Sequence, residues 1–144
     1  MQLVIDTSVL MFCHDQTNMA RHGNAFELLN RVLRSQTLVL DHENQIEAEY
    51  HKQALQRETY VFFWWEQMLL RSGKIERATG KLDAVHQGIA ARSGFDPDDY
   101  PFLAVAKAAA CCVVHEDSDY EKNEIKQIGV TAARIAAALG FVAA

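Results

Sequence analysis

Three short apolar runs, each followed by acidic residues, alternate with helical segments along this chain of 144 residues. Residues 3–5 lead into Asp6, residues 37–40 lead into Asp41, and residues 111–114 lead into the acidic segment that contains Asp117. Strands that are buried on both faces have such uninterrupted apolar sequences. Strands that alternate with helices form parallel sheets. The pattern therefore predicts an α/β fold with a parallel sheet covered on both faces.

The segments between these strands carry helical signals. Residues 19–34 place apolar side chains at helical spacing. Residues 43–71 contain neither Gly nor Pro, so they predict one long helix or a pair of helices. Further helices are expected up to residue 92, from the turn at 96–101 to residue 109, and over 131–139, after a fourth short strand around Val130. Residues 74–80 are interpreted as a connecting segment, and the whole chain, residues 1–144, as a single domain without repeats.

Composition excludes several classes of protein. Three cysteines are an odd number and form no C-x-x-C motif, which disfavours a disulfide scaffold or a zinc ribbon. The net charge of −5 disfavours a basic RNA-binding clamp but is compatible with an acidic cation site. Neither a secretory signal nor a membrane-spanning segment is expected, so the sequence predicts a cytoplasmic protein with no membrane partner.

Acidic residues follow the predicted strands at the ends where ligands bind in open α/β sheets. Asp6, Asp41 and Asp117 follow three different strands, so we expect at least two of them to converge at this edge. Asp99 begins the helix before the third strand, while Glu47 and Glu49 lie early in the helix after the second strand. Grouped carboxylates repel one another unless protons or cations intervene. Their hard oxygen ligands suit Mg²⁺ or Mn²⁺, which activate water for attack on a phosphodiester.

Four segments resemble motifs of the PIN-domain family, metal-dependent ribonucleases that include VapC-like toxins of bacterial toxin–antitoxin pairs. Val4-Ile5-Asp6-Thr7-Ser8-Val9-Leu10 is similar to the family's opening motif. Ile46, Glu49 and Tyr50 match a subgroup's Ile-x-x-Glu-Tyr, and Asp99 is followed seven positions later by Ala106 as in the family. The segment from Val113 to Tyr120 resembles Val-Thr-x-Asp-x-Asp-Phe. The resemblance implies a PIN-like three-layer α/β/α sandwich whose central, mainly parallel sheet has four or five short strands.

The same resemblance implies which acids form the site. Carried over residue by residue, the catalytic carboxylates and metal ligands are Asp6, Glu49, Asp99 and Asp117, with Asp119 as a further or indirect ligand. Two of these choices keep alternatives. Glu47 lies closer to the apolar face of its helix than Glu49, and Asp98 is distinguished from Asp99 only by the spacing to Ala106. The chain also departs from the family at His115, where a Thr or Ser hydroxyl often steadies the site.

The resemblance implies an endoribonuclease that uses Mg²⁺ or Mn²⁺ to hydrolyse RNA. It further implies a bacterial toxin that forms a homodimer and is held inactive by an antitoxin protein. The alternative is a catalytically inactive PIN-fold module that binds RNA or protein. A haloacid-dehalogenase-type phosphatase is disfavoured, because the second acid of its Asp-x-Asp motif is replaced here by Ser8.

Two other features are open to more than one interpretation. The aromatic run at residues 62–65 is interpreted as core plus interface, with base stacking as an alternative. The segment that follows is basic. It is interpreted either as an ordinary solvated loop or as a source of positive charge for RNA phosphates. Its basic residues are Arg71, Lys74, Arg77 and Lys81.

Overall fold

The computed structural model describes residues 1–144 in full. Its five strands are β1 (Gln2–Ile5), β2 (Thr37–Asp41), β3 (Ile75–Ala78), β4 (Cys112–His115) and β5 (Ala132–Arg134). Its eight α-helices are α1 (Thr7–Phe12), α2 (Met19–Ser35), α3 (Gln45–Gln53), α4 (Tyr60–Leu70), α5 (Ala84–Ser93), α6 (Tyr100–Ala109), α7 (Asn123–Lys126) and α8 (Ile135–Ala138). Two short 3-10 helices, Pro97–Asp99 and Ser118–Glu121, precede α6 and α7.

The strands form one sheet in the order β3-β2-β1-β4-β5, and every pair is parallel. From β1 the chain moves outward through β2 to β3, then crosses to β4 and β5 on the other side of β1. Because such crossovers are right-handed, the helices of these two halves cover opposite faces of the sheet. The helix contacts agree, since α2 packs against α4 and α8, while α5 packs against α7. The direction reverses between β1 and β4, where open α/β sheets bind their ligands.

One continuous core of 38 buried apolar residues lies on both faces of the sheet. Its central strands contribute side chains without solvent exposure, as the uninterrupted apolar runs predict. Three large aromatic side chains in this core also form hydrogen bonds through their polar groups. The Trp64 indole N–H donates to the carbonyl of Leu29 at 2.9 Å, the Tyr50 hydroxyl donates to the carbonyl of Ile5, and the Tyr120 hydroxyl donates to Asp6. The carboxyl end of β1, where Asp6 lies, is therefore held by buried hydrogen bonds as well as by apolar contacts.

Two segments differ from the sequence predictions, and a third shows which of two predicted alternatives is present. Residues 75–78, taken as part of a connecting segment, form the edge strand β3 and pair with β2. The predicted helix over 131–139 is wrong: residues 132–134 form β5, and only Ile135–Ala138 is helical. Residues 43–71, which contain no Gly or Pro, form the helix pair α3 and α4, separated by residues 54–59. Both edge strands are short and half-exposed, so they lack the apolar runs that identify the central strands.

No helix in the structure is long and apolar enough to cross a membrane.

Candidate active site

Asp6 directly follows β1 and caps the first turn of α1. Its Oδ2 accepts hydrogen bonds from the Ser8 backbone N–H at 3.0 Å and from the Ser8 hydroxyl at 2.5 Å. Its Oδ1 accepts a hydrogen bond from the Tyr120 hydroxyl at 2.7 Å. The residue is only 4% exposed. A buried carboxylate with three donors is held in one orientation, which is what a preorganised site requires.

Ser8 and Tyr120 join the ends of β1 and β4. The Ser8 hydroxyl, while donating to Asp6, accepts a hydrogen bond from the backbone N–H of Glu116 at 3.0 Å. Tyr120 lies in the 3-10 helix after β4 and is 2% exposed, so its hydroxyl reaches Asp6 through the core. Burial, together with the nearby charge of Asp6, raises the pKa of Tyr120 well above its usual value, which keeps the hydroxyl a donor. The sequence analysis placed Tyr120 in a motif but did not identify this role.

His115, the last residue of β4, contacts both Tyr120 and the backbone of Asp117. Its ring stacks on Tyr120 with centroids 4.7 Å apart and planes tilted by 31°. Its Nδ1 accepts a hydrogen bond from the backbone N–H of Asp117 at 3.2 Å, so the ring proton lies on Nε2. Burial lowers the pKa of His115, which favours this neutral form. Position 115 carries no hydroxyl, and the hydroxyl groups that donate to Asp6 are those of Ser8 and Tyr120.

The charges of several neighbouring carboxylates act on Asp99. Its pKa is raised to about 7, first by burial and then by the charges of four neighbouring carboxylates, Asp6, Asp96, Glu49 and Asp117. Three of these neighbours were predicted as site residues from three different elements: Asp6 after β1, Glu49 on α3 and Asp117 after β4. Asp98 is exposed, and the electrostatic contacts thus favour Asp99 over Asp98. Asp96 was not predicted, although it lies three positions before Asp99.

Glu49 lies where α3 faces the start of α6. It lines a cavity of about 300 Å³ whose other residues are Gln45, Ala48, Lys52, Pro97, Asp98 and Pro101. Glu47, the alternative left open by the sequence, neither lines this cavity nor contributes to the raised pKa of Asp99. These surroundings agree with the preference for Glu49 over Glu47, and the part of Glu49 as a ligand stays a prediction.

Asp117 and Asp119 both lie after β4 but have different partners. Asp117 caps the 3-10 helix by accepting a hydrogen bond from the Asp119 backbone N–H at 2.9 Å. The Asp119 carboxylate forms an ion pair with Lys122 at 3.0 Å, and Lys122 also donates to the carbonyl of Ser93 at 2.9 Å. Asp119 is thus neutralised by a lysine that is itself anchored.

The predicted ligands are of the type that binds hard cations, but their oxygens do not come together at one position. All the predicted ligands are carboxylates, which suit Mg²⁺ and Mn²⁺. As placed, however, the side chains form no group of three or more His, Cys, Asp or Glu residues that could hold a metal ion. The acids of the site therefore share an electrostatic environment without converging on a single position.

Two other acids at this edge have structural roles. Asp41, which follows β2, is fully buried, and its two oxygens accept hydrogen bonds from the backbone N–H groups of Gln45 and Ile46 at 2.8 and 2.9 Å. It is a cap for α3. Glu116 has a 5% exposed side chain that pairs with Arg134 at 3.1 Å and with Arg21 at 3.7 Å. Both acids are occupied by partners within the fold.

The aromatic run is mostly core. Trp64 and Trp65 are buried, Phe62 is half-buried and Phe63 is 52% exposed, so only Phe63 is open to a partner or a base. The core part of the interpretation is confirmed, while the interface stays a prediction.

The basic segment is mostly tied to backbone carbonyls. Arg71 donates to the carbonyl of Leu33, and Lys74 donates to the carbonyls of Val32 and Gln36, all near the end of α2. Arg77 donates to the carbonyl of Asp41 at 3.0 Å. These contacts give the segment a structural role between α2, β2 and β3.

Comparison with solved structures identifies the same architecture in a chain from the crystal structure of VapBC2 from Rickettsia felis bound to a DNA fragment from their promoter. The TM-score is 0.50 at 12% sequence identity, over 93% of this chain and 98% of that chain. No protein-family model and no curated protein matches the sequence. At this identity the likeness concerns the fold. The predicted fold class is confirmed: a mixed α/β domain whose five-stranded parallel sheet is flanked by helices, consistent with the PIN-like three-layer α/β/α architecture.

Proposed function

We propose that this chain is an endoribonuclease that hydrolyses RNA phosphodiester bonds with the help of Mg²⁺ or Mn²⁺. The proposed metal ligands are Asp6, Glu49, Asp99 and Asp117, with Asp119 as a further or indirect ligand. The observation that carries the proposal is the position of Asp6 and Asp117 after β1 and β4, the neighbouring strands between which the strand order reverses, with Asp6 held in place by Ser8 and Tyr120. The raised pKa of Asp99 supports it, since a carboxyl group perturbed by burial and by specific neighbouring charges is typical of functional sites.

The residues of the chain have distinct parts in this proposal. A bound divalent cation would neutralise the carboxylates and activate a water molecule for attack on the phosphodiester. Ser8 and Tyr120 fix the orientation of the Asp6 carboxylate, while His115 positions both Tyr120 and the backbone of Asp117. Asp99 accepts no helix-cap hydrogen bond from α6, so its carboxylate stays available for a cation or a proton.

The biological role in this proposal is that of a toxin in a type II toxin–antitoxin pair, acting in the cytoplasm. Its support is the shared fold with a chain of the VapBC2 complex. The partners are an RNA substrate, an antitoxin protein and a second copy of the chain. Exposed apolar side chains on α4 support the dimer, since Phe63, Leu69 and Leu70 are 52%, 51% and 78% exposed. Light scattering of the purified protein, alone and with the product of a neighbouring reading frame, tests both assemblies.

The decisive experiment is cleavage of a mixed RNA pool with Mg²⁺, with Mn²⁺ and with EDTA. Asp99→Asn is the best inactive variant, because it removes a carboxylate without removing a cap hydrogen bond. Asp6→Asn is a poorer choice, since its new NH₂ group would oppose donors that now point at Asp6. Glu124→Gln is the control, because it removes one negative charge from an exposed position on α7, outside the cleft and the proposed ligands.

We expect cleavage by the wild type and by Glu124→Gln with either metal, no cleavage with EDTA, and at least a hundredfold loss in Asp99→Asn, since transition-state electrostatics of this kind are worth about 10²–10³ in rate. Equal metal-dependent cleavage by Asp99→Asn and the wild type would refute the site assignment.

The second candidate function is an inactive PIN-fold module that binds RNA or protein. The absence of a preformed group of three metal-holding side chains favours it, as does His115 in place of a hydroxyl. Calorimetry with Mn²⁺ separates the two candidates. Binding that is lost in Asp99→Asn supports the nuclease, while no heat of binding combined with no cleavage supports the inactive module.

A further inference from the structure

A cleft beside the acidic site combines a free cation with a free amide. It is the cavity of about 300 Å³ between α3 and the start of α6. The cleft adjoins the acidic site, because Glu49, one of the proposed ligands, lines it, and so does Asp98, the residue before Asp99.

Most cations near the acidic site are already engaged. Arg134 and Arg21 pair with Glu116, and Lys122 pairs with Asp119. Lys52 is different: it lines the cleft, is exposed, and forms no ion pair within 4.0 Å. Its unpaired ammonium group can attract an anionic ligand into a crevice that is otherwise acidic.

Three of the residues that line the cleft lie on one face of α3. Glu49 and Lys52 are three residues apart, so their side chains are neighbours on the helix surface, about 4.5 Å apart along its axis. Gln45 lies one turn before Glu49 on the same face, and its amide has no hydrogen-bond partner in the fold, so it can donate to and accept from a base or ribose.

We propose that this cleft binds the nucleotide that adjoins the phosphodiester to be cleaved in an RNA strand, with Lys52 paired to its phosphate. The inference rests on the proposed function, since it assigns part of the substrate to the same site. Pro97, Pro101 and Ala48 form the apolar walls against which the sugar and base pack.

Fluorescence anisotropy with a labelled single-stranded RNA pool tests this binding without cleavage. The parent protein is Asp99→Asn in Mg²⁺, and the test variant adds Lys52→Ala. The matched control adds Lys126→Ala, which removes the same charge from an exposed position on α7. Because both lysines are exposed, thermal unfolding should show equal stability for the two variants.

One phosphate contact on a single strand contributes about 0.7 to the slope of log K against log salt. We therefore expect Lys52→Ala to bind RNA roughly fivefold more weakly at 0.1 M salt, with the slope reduced by about 0.7. Lys126→Ala should match the parent in both measurements. In the active protein, Lys52→Ala should raise KM for RNA with little change in kcat, since it removes ground-state and transition-state binding equally.

The two proposals fail in different ways. Unchanged affinity and slope in Lys52→Ala, with RNA still bound by the parent, overturn the cleft assignment alone. No RNA binding by the parent, combined with no cleavage by the wild type, overturns the proposed function and this inference with it.

Discussion

Removing the Tyr120 hydroxyl tests whether a buried tyrosine holds the central carboxylate of the site. Tyr120→Phe deletes one oxygen and leaves the ring contacts with His115 and Phe95, whose centroids lie 4.7 and 5.1 Å away. Asp6 keeps its two hydrogen bonds from Ser8 but loses the only side-chain donor to Oδ1, at 2.7 Å. The substitution therefore isolates one hydrogen bond to a buried carboxylate.

A hydrogen bond to a charged group contributes about 1.5–3 kcal/mol to stability. For 144 residues the entropy of unfolding is roughly 0.3 kcal/mol/K, so this loss lowers Tm by roughly 5–10 °C. Urea and thermal unfolding in metal-free buffer measure both quantities. Tyr60→Phe is the matched control, because its half-buried hydroxyl donates to the neutral side chain of Asn30 at 2.6 Å and should cost only about 1 kcal/mol.

The pair can also be tested directly with a double-mutant cycle. If the hydroxyl acts through Asp6, Tyr120→Phe should cost much less when Asp6 is already replaced by Ala. A Tyr120→Phe variant that loses no more stability than Tyr60→Phe, or that loses the same amount without Asp6, would refute the reasoning.

Two further predictions concern Asp99 and Gly80. Burial and neighbouring carboxylates raise the pKa of folded Asp99 from 3.8 to about 7, so its contribution to stability is present at low pH and is lost as the pH rises from about 4 through 7. With EDTA, the stability of Asp99→Asn relative to the wild type should thus increase between about pH 4 and pH 7 in urea titrations, and a constant difference over this range would contradict this. An added Cβ at Gly80 would lie 2.6 Å from the Asp41 Cβ, so Gly80→Ala should cost roughly 1–3 kcal/mol in the same assay, whereas Gly23→Ala, with nothing within 4 Å, should not destabilise the protein.

The central strands and most helices could be predicted because their signals are local. The apolar runs of β1, β2 and β4 are buried on both faces, and Gly94 ends α5 in the left-handed conformation that glycine favours. The edge strands could not be predicted in the same way. The segment Ile75-Glu76-Arg77-Ala78 has two adjacent charged residues, one neighbouring strand and a partly exposed surface, so its strand conformation depends on pairing with β2.

The candidate site was predicted in part. Motif spacing identified four acids, and the structure places Asp6, Glu49 and Asp117 as charges acting on Asp99. The sequence could not separate Asp41 from Asp6, since both follow buried strands. Only the fold shows that both Asp41 oxygens cap α3, while Asp6 caps α1 and is joined through Tyr120 to the acidic segment after β4. That these acids hold a cation stays a prediction.

The sequence by itself determined the fold class, because apolar runs, caps and turn residues act on the chain over a few positions. The tertiary structure decided which side chains meet. Tyr120 reaches Asp6 across 114 positions, and Lys52 stays unpaired while other cations near the site are engaged. These outcomes depend on the order of the strands and on the contacts available after folding, which no local pattern records.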